Sequence, residues 1–100
     1  MHPGTLFKIP LPDGQFGGAQ LLGIDGTAAG IRLFAVLWRC APGPLDFEDA
    51  PAALEIAVGV DSLDGLEVVG EAPVAAPWTA AGQPVVRAPL VVVLQALLAE

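Results

Sequence analysis

The chain has 100 residues, 54% of them hydrophobic and 15% charged, with a net charge of −7. That length supports one domain over residues 1–100, which buries roughly 60–68% of its unfolded surface and forms a core without staples. The apolar content excludes a disordered chain, and the acidity disfavours nucleic acid and anionic membrane as partners while favouring basic ones.

The acidity is concentrated. Between Cys40 and Val86 no Lys or Arg occurs, yet the span holds Asp46, Glu48, Asp49, Glu55, Asp61, Asp64, Glu67 and Glu71. One reading is a solvated face that keeps an apolar protein in solution; the other is a contact surface for a cationic partner. Cys40 is the single cysteine, so an intrachain disulfide is impossible, and a buried structural thiol in a reducing compartment is expected. Met1-His2-Pro3-Gly4 carries no basic n-region and no apolar h-region follows. The most apolar run, Leu90 to Leu98, is about half the length that spans a bilayer. The expectation is a soluble cytoplasmic protein.

Thr5 to Leu11 alternates, with Phe7, Ile9 and Leu11 on one face and Leu6, Lys8 and Pro10 on the other. Pro10 donates no ladder hydrogen bond, which places this strand at a sheet edge or ends it there. Pro12-Asp13-Gly14 suits a tight turn, with Gly14 in the left-handed position. Phe16 to Leu22 returns as a second strand, where Gly17 and Gly18 predict a bulge or a close backbone approach. Asp25-Gly26 is the next turn. Gly30 to Cys40 reads as the longest strand, apolar on both faces and therefore central and covered on both sides. Ala41-Pro42-Gly43-Pro44 ends it.

Leu45 to Pro51 is an acidic connector with room for one helical turn. Asp49 before Pro51 could start a helix over Leu54 to Asp61. The alternation of Leu54, Ile56, Val58 and Val60 with Glu55, Ala57, Gly59 and Asp61 favours a strand instead. Asp61 to Gly65 turns the chain, and Leu66 to Gly70 is expected to pair back as a short strand. Ala72 to Pro84 is proline-rich and irregular, with Trp78 anchoring it on the core. Val85 to Ala88 suits a last short strand. Pro89 then fits the first turn of a helix that aligns Leu90, Leu94, Leu97 and Leu98, although Val91-Val92-Val93 keeps a strand open. The predicted fold class is mostly β: five to six short antiparallel strands in a curled sheet or small barrel, with a short C-terminal helix.

Catalytic chemistry is poorly supplied. The one histidine is His2, the one serine is Ser62, and tyrosine is absent. A Ser/His/Asp or Cys/His arrangement would need His2 to fold back onto the site. Zinc lacks ligands, and no glycine-rich phosphate loop with a following lysine occurs. Asp46, Glu48 and Asp49, like Asp61 and Asp64, lack calcium-loop spacing. The six Phe and Trp residues are too few to line a sugar cleft. No catalytic residue, metal ligand or cofactor is assigned.

The segment Phe7-Lys8-Ile9-Pro10-Leu11-Pro12-Asp13-Gly14-Gln15-Phe16-Gly17 resembles the start of the immunity protein 26 family. These are small, mostly β proteins encoded beside toxins in bacterial polymorphic toxin and contact-dependent inhibition systems. Members open with an aromatic, a residue or two, Ile-Pro-Leu, a short Asp-Gly turn, an aromatic and small residues. Val68-Val69-Gly70-Glu71-Ala72-Pro73-Val74 is similar to the second recurring segment, a hydrophobic pair followed by Gly, a polar residue and Pro. The likeness covers roughly positions 4 to 78. Gly18, Ala19 and Gln20 depart from the aromatic, Gly and Arg that the family often carries. Leu66 or Glu67 stands where an aromatic commonly precedes the pair.

The resemblance implies a non-enzymatic immunity protein that binds and neutralises a cognate toxin. The charge pattern supplies a mechanism. Nuclease toxins have cationic active sites, and an acidic face meets them with electrostatically accelerated association. On charge alone, the expected contact residues are Asp46, Glu48, Asp49, Asp61, Asp64, Glu67 and Glu71. Phe7, Ile9, Pro10, Asp13 and Gly14 read as scaffold. The alternatives are a small β-barrel interaction or assembly module with an unrelated partner, and a small-ligand or cation-binding domain. The C-terminal stripe reads as core or, alternatively, as a homodimer surface.

Overall fold

The computed structural model describes residues 2–74 and 77–98. Six strands form one sheet: β1 (Thr5–Pro10), β2 (Phe16–Asp25), β3 (Ala28–Phe34), β4 (Ala52–Gly59), β5 (Glu67–Glu71) and β6 (Val85–Val86). A helix, α1 (Leu90–Leu98), follows. The spatial order is β5-β1-β2-β3-β4-β6. All neighbours are antiparallel except β4 and β6, which run parallel. The sheet is mixed and open rather than closed into a barrel.

The opening hairpin forms as its turn residues dictate. Gly14 takes φ +86°, its N–H donates to Leu11 O (3.1 Å), and Leu11 N–H donates to Gln15 O (2.9 Å). Asp13 Oδ1 accepts from Gln15 N–H (3.0 Å) and stiffens the corner. Strand β1 is internal, not an edge, because β5 pairs along its other side. Pro10 is tolerated because that pairing stops at Lys8↔Glu67, so the missing N–H falls beyond the ladder. Strand β5 therefore does not pair back onto β4. The chain leaves β4 through a 3-10 turn at Val60–Leu63, buries Leu63 in the core, and emerges at the far edge of the sheet. Local alternation marks a strand; the partner is set by that crossing.

Gly17 and Gly18 are not bulged. They pair in register with Ile9 and Lys8, and the bulge lies further on, at Leu22 between the Leu21↔Ile31 and Gly23↔Gly30 pairs. What requires glycine is close approach. A Cβ on Gly17 would collide with the Leu94 side chain, and one on Gly18 would fall 2.6 Å from Phe47 and 2.8 Å from Trp38.

Strand β3 is central, as its two apolar faces predict, but it ends at Phe34 rather than Cys40, and β2 is the longest strand. The cause is register. The Ala19↔Leu33 ladder would set Val36 opposite Phe16, yet Trp38 stands there, two residues later. The inserted residues break the strand, and Cys40 lands in an exposed loop rather than in the core.

Alternation gives the sheet two differently covered faces. On one face Phe7, Ile9, Leu21, Ile31, Leu33 and Val58 pack with Leu63, Leu90 and Leu94. Helix α1 thus spends its predicted stripe on its own sheet, with Leu97 and Leu98 half-buried against the same core. On the other face Leu6, Phe34 and Phe47 form a smaller cluster with Val36, Trp38, Val69 and Ala72 around it. The connector between β3 and β4 covers this side through a 3-10 turn at Pro44–Phe47. At the opposite end of that face Trp78 lies on Gly30 and Gly23, and Ala80 N–H donates to Asp25 Oδ2 (3.0 Å). Residues 75 and 76, inside the stretch expected to be irregular, lie outside the described residues.

Candidate functional site

The seven carboxylates predicted as a contact surface are all exposed, but the fold does not gather them on one face. Asp46 lies in the connector's 3-10 turn, Glu48 caps its end and Asp49 follows. Pro44, which begins that turn, packs on Gly70 of β5. Glu71 of β5 and Glu48 line the same cavity. Glu67 pairs with Lys8 and so shares the connector side. Asp61 and Asp64 instead belong to the 3-10 turn that buries Leu63 on the helix side. There they line a shallow depression with Arg87, Pro89 and Leu90. Five carboxylates thus surround the connector face and the β5 edge, and two lie across the sheet.

Local bonding divides them further. Glu67 Oε2 meets Lys8 Nζ at 2.9 Å and Glu71 Oε1 meets His2 Nε2 at 2.7 Å. Asp46 Oδ2 accepts from Gly43 N–H at 2.7 Å, holding the start of the connector turn. Among the described residues, Glu48, Asp49, Asp61 and Asp64 make no ion pair. Lys8 and Arg32, the two basic side chains of the sheet, are both engaged by carboxylates. Arg87 stands in the same depression as Asp61 and Asp64, and the excess of carboxylates over basic side chains sets the surface field.

The connector face also contains a polar row that charge counting overlooks. Register aligns Gly70, Leu6, Gln20, Arg32 and Glu55 across five strands. Gln20 is 3% exposed. Its Nε2 donates to Ala72 O (3.0 Å) and its Oε1 accepts from Arg32 Nη1 (3.2 Å). Arg32 Nε and Nη2 both approach Glu55 Oε2, at 3.0 and 2.9 Å. Leu6, Gln20 and Arg32 of this row floor a cavity of about 400 Å³ whose other linings include Phe34 and Phe47. The sequence carries one signal of it: a single polar residue inside each of three otherwise apolar strands. Only the register places them side by side.

Among the described residues, no three His, Cys, Asp or Glu side chains converge as a metal site, and no helix is long and apolar enough to cross a membrane. No family model, curated protein or solved structure matches the chain.

Proposed function

We propose that the chain is a non-enzymatic immunity protein that binds and neutralises a cognate bacterial toxin in the cytoplasm, with a basic nuclease domain as the kind of partner that fits. The observation that carries this reading is the excess of exposed carboxylates, of which Asp46, Glu48, Asp49, Asp61 and Asp64 make no ion pair among the described residues, in a chain of net charge −7. The resemblance of the Phe7–Gly17 hairpin and the Val68–Val74 segment to immunity proteins supports the biological role.

The connector face supports the location. There Asp46, Glu48, Asp49, Glu67 and Glu71 surround a rigid rim built on paired strands and the Phe34–Phe47 contact. Glu67 and Glu71 are themselves exposed, and their partners are the half-buried Lys8 and the exposed His2; pairs with a solvated carboxylate are weak enough to exchange for a toxin's Arg or Lys. Asp61 and Asp64 add to the long-range field that speeds encounter rather than to the contact. Co-expression with the product of the adjacent toxin-like gene tests the proposal. The expected result is restored growth and a complex that co-purifies. Loss of both, with the two proteins present and folded, overturns it.

A further inference from the structure

The floor of the connector-face cavity is rich in donors and short of acceptors. Arg32 has five N–H groups. It directs Nε and Nη2 at Glu55 Oε2 and one Nη1 N–H at Gln20 Oε1. One N–H on each terminal nitrogen makes no further hydrogen bond among the described residues. Gln20 Nε2 gives one N–H to Ala72 O and has a second to give. Against these three open N–H groups, the side-chain oxygen on the floor, Gln20 Oε1, accepts once and has one further lone pair. An incoming group that accepts hydrogen bonds is therefore what the floor lacks.

The walls and rim narrow the choice. Leu6, Phe34 and Phe47 supply apolar surface, and the two phenyl rings stand edge to face, 5.3 Å apart at 82°, a stable arrangement for aromatic pairs. Glu48 and Glu71 also line the cavity and are exposed. The Arg32 charge is answered by Glu55, so the carboxylates of the rim leave the local field negative. An anion would gain the floor donors but meet that field. A cation would gain the rim but meet the guanidinium beneath it. A neutral acceptor meets neither penalty. The volume, about 400 Å³, lies within the roughly 300–1,000 Å³ of small-molecule sites.

We propose that this cavity binds a small neutral molecule carrying a carbonyl or carboxamide on an aromatic or branched apolar body, with the carbonyl oxygen on Arg32 and Gln20 and the body between Leu6, Phe34 and Phe47. The site stands on its own geometry and does not require the toxin reading. Three near-isosteric probes test it on the full chain: phenylacetamide, phenylacetate and phenethylamine, followed by amide and guanidinium chemical shifts. Phenylacetamide is expected to move the Gln20 side-chain amide and the Arg32 Nε–H and to saturate in roughly the millimolar range of a fragment. The two charged probes are expected to bind roughly tenfold more weakly.

Arg32→Met is expected to abolish the binding. Because that change also strands Glu55, Glu48→Gln provides a variant that leaves the floor intact. It should strengthen phenylacetate binding severalfold relative to that of phenylacetamide. Equal or tighter binding of either charged probe overturns the proposal. So does saturation that leaves Gln20 and Arg32 unmoved, an indifferent Glu48→Gln, or no phenylacetamide binding up to its solubility.

Discussion

Gly18→Ala should loosen the connector from the sheet, and the size of the effect can be worked from the packing. The added Cβ would lie 2.6 Å from Phe47 Cε2 and 2.8 Å from Trp38 Cζ3, where carbon atoms rest at about 3.5–4.0 Å. Strand β2 is held in place, because Gly18 pairs with Lys8 on one side and its neighbour Ala19 pairs with Leu33 of β3 on the other. The rings must therefore move by about 1 Å. Phe47 is 5% exposed and packs on Phe34 and Trp38 with centroids at 5.3 and 5.0 Å. Overpacking of this kind costs about 1–3 kcal/mol. The lower entropy of the unfolded alanine chain returns about 0.4–1 kcal/mol. The net expectation is a loss of about 1–2 kcal/mol, or a fall in melting temperature of roughly 4–16 °C for a domain of this size. Urea unfolding followed by tryptophan emission measures it, with Trp78→Phe isolating the Trp38 signal. An unchanged or raised midpoint would refute the reasoning, since it would mean that Phe47 and Trp38 do not rest on β2.

Leu94→Ala empties the fully buried position that fills the space above Gly17, and urea denaturation should show a loss of about 2–5 kcal/mol. Cys40 should react with a thiol reagent at full stoichiometry in the folded protein, without denaturant, because it is exposed; protection until unfolding would contradict the loop placement. Glu67→Gln breaks an ion pair whose carboxylate is largely solvated, so stability should change by less than about 1 kcal/mol in the same unfolding assay, whereas binding of a cationic partner should weaken.

Much of the fold was legible because single residues carry unambiguous constraints. Gly14 and Gly26 take the left-handed corners that their turns require. The alternation over Leu54–Val60 marks β4 against a competing helix signal. Pro89 precedes the helix whose leucine stripe covers the core. The errors arise where the outcome depends on distant pairing. Nothing within Gly30–Cys40 announces that Trp38, rather than Val36, will meet Phe16. Nothing within Leu66–Gly70 tells that its neighbour will be β1.

The candidate site divides in the same way. Charge counting found every exposed carboxylate of the predicted surface, but it could not tell that the two 3-10 turns bearing Asp46 and Asp61 sit over opposite faces of the sheet. Gln20, Arg32 and Glu55 were visible as polar interruptions. Their union into one hydrogen-bonded row is a product of register across β2, β3 and β4.

The most direct measurement for the central claim is the association rate between the folded chain and the toxin domain that the proposed co-expression experiment recovers with it, followed by stopped-flow from about 0.05 to 0.5 M salt. Steering by the carboxylates predicts a fast rate at low salt that falls by roughly tenfold or more across that range. Glu48→Lys with Asp49→Lys should slow association further than Asp61→Lys with Asp64→Lys, because only the first pair borders the proposed contact. A rate independent of salt, equal slowing by the two pairs, or no complex at all would contradict the account.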